Sequence, residues 1–243
     1  MTAARGFDTR RAAAYDERSV FDKGDRAAHR HYVKDVLMYL GGAPSLFVDL
    51  GCGTGFFAEV FFDTFPQIRG VLVDASADML SLARRRLAPQ GQRAIFEAGP
   101  MEGLGWCANG TPDIAFSAMA FHFLEDRIKW RLFADVARVL PDSGSFILID
   151  QFAAGPDGVD LLQNLACRAI QRSLRHELGL EFDPDEINID RLVERDRAAK
   201  LAERGFDASL DEHVRRLREA GFASVQTFFQ EHRLFGLLAR KRS

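Results

Sequence analysis

The stretch Val48-Asp49-Leu50-Gly51-Cys52-Gly53-Thr54-Gly55 limits the possible folds of this chain more than any other feature. An apolar run over 45–50 reads as a buried strand before it, and a helical stretch through Phe65 follows it. Three glycines at alternate positions leave the backbone bare, so a ligand can approach it closely. A loop of this kind between a strand and a helix belongs at the carboxyl edge of an open α/β sheet, where ligands bind.

The rest of the chain supplies such a sheet. A second apolar run covers 70–74, and Ser76 after it is placed to cap a helix that carries Met79, Leu80, Ala83 and Leu87 on one face. Further strands are expected over 94–97, 113–117 and 145–151, with a helix over 125–140 between the last two. Alternation of this kind predicts a doubly wound, mostly parallel, Rossmann-like α/β sheet with helices on both faces. A helix over 210–220, stopped by Gly221, and two runs over 223–229 and 233–239 predict a closing hairpin with one antiparallel C-terminal strand, making seven strands.

Two helical segments lie outside that alternation. Residues 8–40 read as helical, with Asp25 a plausible N-cap and Gly41-Gly42 a stop. Residues 157–207 read as charged helices broken by Pro184, a cap inserted before the last helix and hairpin with a presumed hinge near Gly155-Pro156. The expected organisation is an N-terminal helical cover over 1–44, a sheet domain over 45–156 and 208–243, and the cap over 157–207. A chain of 243 residues is long enough to bury such a core without a disulfide or metal staple.

Composition excludes several classes. At 47% hydrophobic and 28% charged residues the chain is globular, and no segment reaches the roughly 20 uninterrupted apolar residues of a spanning helix. Its first residues contain no apolar signal-peptide core. A formal charge of −3 argues against a dominant polyanion-binding surface and leaves room for local basic patches. Cys52, Cys107 and Cys167 form no CxxC pair and no framework, which suits a reducing, cytoplasmic setting.

The loop departs from the dinucleotide fingerprint G-x-G-x-x-G, because Phe56 stands where the third glycine belongs. Asp49, two residues before the loop, has no obvious use beside a pyrophosphate but suits a ligand with an ammonium and a sulfonium. Asp74, nineteen residues after Gly55, ends the second strand. A carboxylate there accepts from both hydroxyls of a ribose.

On VDLGCGTG, Asp74 and the fourth-strand stretch Asp113-Ile-Ala-Phe-Ser117-Ala118, the chain resembles the class I S-adenosylmethionine-dependent methyltransferases over about residues 45–151, and again in its hairpin ending. The resemblance implies that Asp49, Gly51, Cys52, Gly53 and Thr54 wrap the methionine end of the cofactor. It places Asp74 on the ribose and Ala75, Ser76 and Met79 beside the adenine, although Met79 suits a core position equally. Where relatives often carry Gly-Asp-Ala, this chain reads Gly99-Pro100-Met101-Glu102. Pro100 offers neither a side-chain acceptor nor a backbone donor, so adenine recognition must lean on Met101 or Glu102. Ser117 and Ala118 are expected near the methionine moiety, and Tyr15, in AAAYDERS, is either a cofactor contact from a covering helix or an interfacial core residue.

Methyl transfer from a sulfonium needs alignment and at most one base. His122, just past the fourth strand, is the catalytic candidate; the alternative is that it packs or positions substrate. His29 and His31 flank Arg30 with no further ligand nearby, so no metal site is expected. Cys52 reads as a steric choice. Arg168, Arg172 and Arg175 share a helical face that either turns inward toward an anionic acceptor or is solvated. The expected activity is methyl transfer to a small-molecule acceptor by a cytoplasmic monomer or homodimer, without membrane or direct nucleic-acid partners. Two alternatives stand beside it. One is a looser likeness to the carboxy-S-adenosylmethionine synthases, with Arg191 or Arg195 holding the extra carboxylate; the other is a cofactor-binding module without transfer activity.

Overall fold

The computed structural model describes residues 26–152, 165 and 208–242. Strand β1 (Leu46–Leu50) is buried at every position, the mark of a central strand covered on both faces. Around it run β2 (Arg69–Asp74), β3 (Ala94–Ala98), β4 (Ile114–Ala118) and β5 (Ser145–Gln151), all parallel. The chain closes with β6 (Ser224–Glu231) and β7 (Leu234–Arg240), and β7 inserts antiparallel between β5 and β6. The seven-stranded sheet has the order β3-β2-β1-β4-β5-β7-β6. The expected strands and the single reversed strand are present, with ends shifted by a residue or two.

Strand order reverses direction between β1 and β4. The connections leaving these two neighbours diverge, and that opens a crevice at their carboxyl ends. The glycine loop after β1 and the segment carrying His122 after β4 both start there.

Helices cover both faces. Helices α1 (Arg26–Leu40), α2 (Ala58–Thr64) and α3 (Ala77–Arg86) bury Val33, Leu37, Phe61, Phe62 and Leu80 against Phe47, Phe116, Ile147 and Ile149. On the other face α4 (Asp126–Val139) and α5 (Leu210–Glu219) bury Leu132, Phe133, Val136 and Leu217 against Val48, Ala115, Phe146, Leu148 and Phe235. Helix α1 ends as expected: Gly41, at φ 61°, donates its N–H to the Leu37 carbonyl at 3.1 Å. His29 of α1 bonds Glu231 at 3.1 Å and stacks on Phe229, tying this helix to the sheet edge at β6. In α3 the Ser76 hydroxyl accepts from the Met79 N–H at 3.3 Å, and Met79, Leu80, Ala83 and Leu87 are all buried.

Gly70 shows how tightly the first face is packed. A Cβ there would overlap the Phe47 ring and lie 3.0 Å from Phe62, while Phe47 stacks on Phe61 with centroids 4.3 Å apart. Valine favours strands, yet Gly70→Val is expected to lower stability by about 1–3 kcal/mol, because overpacking outweighs propensity. Thermal unfolding checks the sign; an unchanged or higher midpoint refutes the packing argument.

Among the described residues no helix is long and apolar enough to cross a membrane. Residues 1–25, which include Tyr15 and Asp25, and the expected cap with Arg168, Arg172, Arg175, Arg191 and Arg195 lie outside the described residues.

Candidate active site

The loop is anchored by its own backbone. Gly51 and Cys52 both donate their N–H groups to the Val73 carbonyl, at 2.8 and 2.9 Å, folding the chain back over the end of β2. Gly51 takes φ 78°, and a Cβ on it would overlap the Cβ of Ala120 and lie 3.2 Å from the Met101 methyl. Glycine here satisfies a left-handed backbone and a close approach at once. A Cβ on Gly53 would meet nothing within 4 Å among the described residues.

Asp74 joins the loop to the next turn. Its Oδ2 accepts from the Gly53 N–H and its Oδ1 from the Ser76 N–H, each at 2.8 Å. From the end of α3, Arg86 donates to the Thr54 carbonyl at 2.9 Å and to its hydroxyl at 2.6 Å, holding the far side of the loop.

Electrostatically two carboxyls stand beside the loop. Asp49 is only 2% exposed, and burial, aided by the Asp74 charge, pushes its carboxyl well above the usual carboxylate range. Burial also raises Asp74, opposed by the Ser76 and Gly53 N–H groups. Burial, with Asp49 and Asp74, raises the Cys52 thiol well above its ordinary value. A protonated thiol is a poor nucleophile, in keeping with the steric reading of Cys52. Two desolvated carboxyls beside a bare loop favour a ligand carrying positive charge.

Across the crevice, Ser117 is fully buried and its hydroxyl donates to the Leu50 carbonyl at 2.7 Å, bracing β4 against β1. Ala118 is half-buried. Met119 adopts φ 57° and donates its N–H to the Ile149 carbonyl at 2.8 Å, turning the chain so that Ala120 packs on Gly51. A single 3-10 turn, Phe121–Phe123, then presents His122. The His122 Nδ1 lies 2.6 Å from Asp150 Oδ1; the histidine side chain is 14% exposed and the aspartate fully buried.

Burial opposes ionisation of Asp150, but His122, the Gln151 N–H and Lys129 together hold its carboxyl below the ordinary value. Its Oδ1 also accepts from Gln151 at 2.8 Å, whereas Oδ2 is buried without a partner among the described residues.

The structure thus brings Asp49, Gly51, Cys52, Gly53, Thr54, Asp74 and Ser76 together at the carboxyl ends of β1 and β2. Ala75 is exposed, while Met79 is buried on the inner face of α3, its core alternative. Gly99 donates its N–H to the Asp74 carbonyl at 3.0 Å; Pro100 and Glu102 are exposed, and Met101 turns toward the loop. Sequence reasoning missed Asp150 and Arg86. An acidic residue inside the apolar run FILIDQ was the available signal for Asp150; nothing local marked Arg86.

Residues 47–144 match the family model described as a methyltransferase domain. The chain is 36% identical over 107 residues to the malonyl-(acyl-carrier protein) O-methyltransferase of Hahella chejuensis, covering 44% of this chain and 36% of that one. It is 31% identical over 141 residues to a trans-aconitate 2-methyltransferase of Rhodopseudomonas palustris, covering 56% and 49%. The chain therefore spans half or less of the length of these relatives. An O-methyltransferase family protein from Burkholderia thailandensis shares the fold at TM-score 0.65 and 15% identity, over 97% of this chain and 61% of that one. Residues 47–144 thus match a methyltransferase domain, and the sheet that carries them shares its fold with that O-methyltransferase family protein.

Proposed function

We propose that the chain transfers a methyl group from S-adenosylmethionine to a small-molecule acceptor. The observation that carries this reading is the pair Asp49 and Asp74 around a bare glycine loop at the point where strand order reverses. The donor set fits the group. Asp74 keeps lone pairs beyond those taken by Gly53 and Ser76, enough for two ribose hydroxyls. Asp49 and the loop backbone receive the ammonium and sulfonium end, while Ser76 and Met101 flank the adenine, which leans on backbone groups of Met101 or Glu102. When bound, the cofactor supplies an activated methyl group, so the chain's own tasks are alignment, exclusion of water and handling one proton. His122 stands across the crevice from the loop, where it accepts that proton from the acceptor.

Trans-aconitate, for which several relatives are named, is a small acid, which supports a small acceptor. A formal charge of −3 supports a reading without direct nucleic-acid partners, and the proposal places the chain in the cytoplasm as a monomer or homodimer.

Thermal unfolding with S-adenosylmethionine, its demethylated product, NAD or buffer tests the proposal. At about 100 times its dissociation constant a ligand adds roughly 2.7 kcal/mol, which at this size raises the midpoint by on the order of 5–10 °C. Both adenosyl ligands are expected to give that rise and NAD none, and Asp74→Ala is expected to lose most of it. No rise in ligand-free protein sinks the reading.

A further inference from the structure

We propose that Asp150 is a positioning residue that fixes His122 with its proton on Nδ1 and its lone pair on Nε2, and that the site is thereby built for an acceptor that must lose a proton, a hydroxyl, rather than for a carboxylate. The acceptor half of this rests on the methyl-transfer reading above.

The geometry concerns one oxygen. Asp150 shares the strand face of Phe146 and Leu148, directed at α4 and α5. On that side the fully buried Lys129, whose Nζ lies 3.4 Å from Asp126, acts on it through its charge, and Asp150 in turn acts on the fully buried His213. His213 bonds through Nδ1 to the Ser209 carbonyl at 2.8 Å, its buried Nε2 makes no hydrogen bond among the described residues, and burial lowers its proton affinity. Among the described residues both donors that reach Asp150, the His122 ring and the Gln151 N–H, converge on Oδ1, and Oδ2 is left without a partner. Burying a carboxylate is costly unless it is well paired. This one leaves an oxygen unsatisfied and spends its strongest contact on orienting a ring at the crevice.

A carboxylate only accepts hydrogen bonds, so Nδ1 must be the donor, and in a neutral imidazole Nε2 then carries the lone pair. The turn that bears His122 is held in register with the glycine loop through Ala120 on Gly51 and the left-handed Met119. The base therefore has a fixed position relative to the methyl donor's cradle, as an in-line displacement requires.

The need for that base separates acceptor classes. A carboxylic acid is already ionised near neutral pH, and its oxygen attacks without losing a proton. A hydroxyl must shed one. Its O–H proton moves to Nε2, its oxygen pair forms the new O–CH3 bond, the methyl–sulfur pair returns to sulfur, and the imidazolium formed is stabilised by Asp150. The relatives named above take their names from malonyl and aconitate, both carboxylates; this pair of side chains points to a different acceptor for the present chain.

Two readouts test it. In nitrogen-resolved NMR of the ligand-free protein at pH 8, His122 is expected with a protonated Nδ1 and a bare Nε2, and Asp150→Asn is expected to mix the tautomers. A native Nε2–H form, or a tautomer unmoved in Asp150→Asn, overturns the positioning role whatever the protein methylates. For the acceptor, 4-hydroxybenzoate offers both groups on one ring, with catechol and trans-aconitate as single-group probes. Ether products are expected, with His122→Ala lowering kcat by about 10²–10⁴ at little change in KM, and Asp150→Glu restoring part of what Asp150→Asn loses. Methyl esters, or no transfer to either hydroxyl probe, overturn the acceptor assignment. Absence of the melting rise with S-adenosylmethionine is a separate result that overturns the cofactor reading and leaves the tautomer measurement standing.

Discussion

Replacing Asp49 with Asn is expected to raise the melting temperature of the ligand-free protein at pH 8 and to abolish the further rise that S-adenosylmethionine produces. The two effects have opposite signs and one cause. Burial, and then the charge of Asp74, push the Asp49 carboxyl well above its ordinary value. Below that ordinary value the group is protonated in both the native and the unfolded chain and contributes no difference. As pH rises past it, the unfolded chain ionises first and gains stability, so the native state loses ground until pH exceeds the raised native value. Stability associated with Asp49 is therefore present in acid and lost through that window. Asparagine has nearly the same shape and no charge to suppress, so the variant is spared the loss.

A gain of about 1–2 kcal/mol is typical for relieving such a site, or roughly 3–6 °C at this chain length. The difference in midpoint between variant and parent should widen from pH 4 to pH 8. A cationic ligand reverses the balance, because it favours the ionised carboxylate that the empty hollow penalises. The variant lacks that response and should melt at the same temperature with and without S-adenosylmethionine. A variant less stable than the parent at every pH shows that Asp49 is satisfied within the fold, and removes the argument for a cationic ligand.

The half of the site nearest β1 and β2 was readable in sequence because its determinants are local. Asp49 interrupts a buried run, three glycines follow within five residues, and Asp74 stands where the next run stops. The Ser76 cap was likewise readable, since its partner is the Met79 N–H three residues on. The opposite half depends on pairings between distant residues. Asp150 meets His122 across 28 residues of chain, and only the β4–β5 register, which sets Ala118 beside Ile149, brings them together. Arg86 reaches Thr54 across 32 residues by the placement of α3 on the sheet. Ser117 illustrates the same limit within one residue. Its place at the end of β4 was expected, yet strand alternation sends its hydroxyl under Leu50 rather than into the crevice. Position along the chain was legible, and direction was not.

Gly51→Ala is expected to be the most damaging single methyl group that can be added to this site. The added Cβ would overlap that of Ala120, and overpacking costs about 1–3 kcal/mol. The φ of 78° adds a left-handed penalty of roughly 1–2 kcal/mol for a residue with a side chain. Together, about 2–5 kcal/mol should lower the midpoint by roughly 5–20 °C. Ala120→Gly on its own creates little void and should cost far less. In the double variant Gly51→Ala with Ala120→Gly the overlap is removed and the backbone penalty persists, so about half the lost stability should return. Both residues belong to turns that carry functional groups, the loop toward Asp74 and the segment toward His122. The single variant should therefore also displace His122 relative to Asp150, seen as a mixed His122 tautomer in the NMR measurement, and the double variant should restore the native tautomer even where stability is only partly recovered. Equal midpoints for the single and double variants would mean that the Ala120 overlap contributes nothing, and that the two halves of the crevice are not registered through this contact.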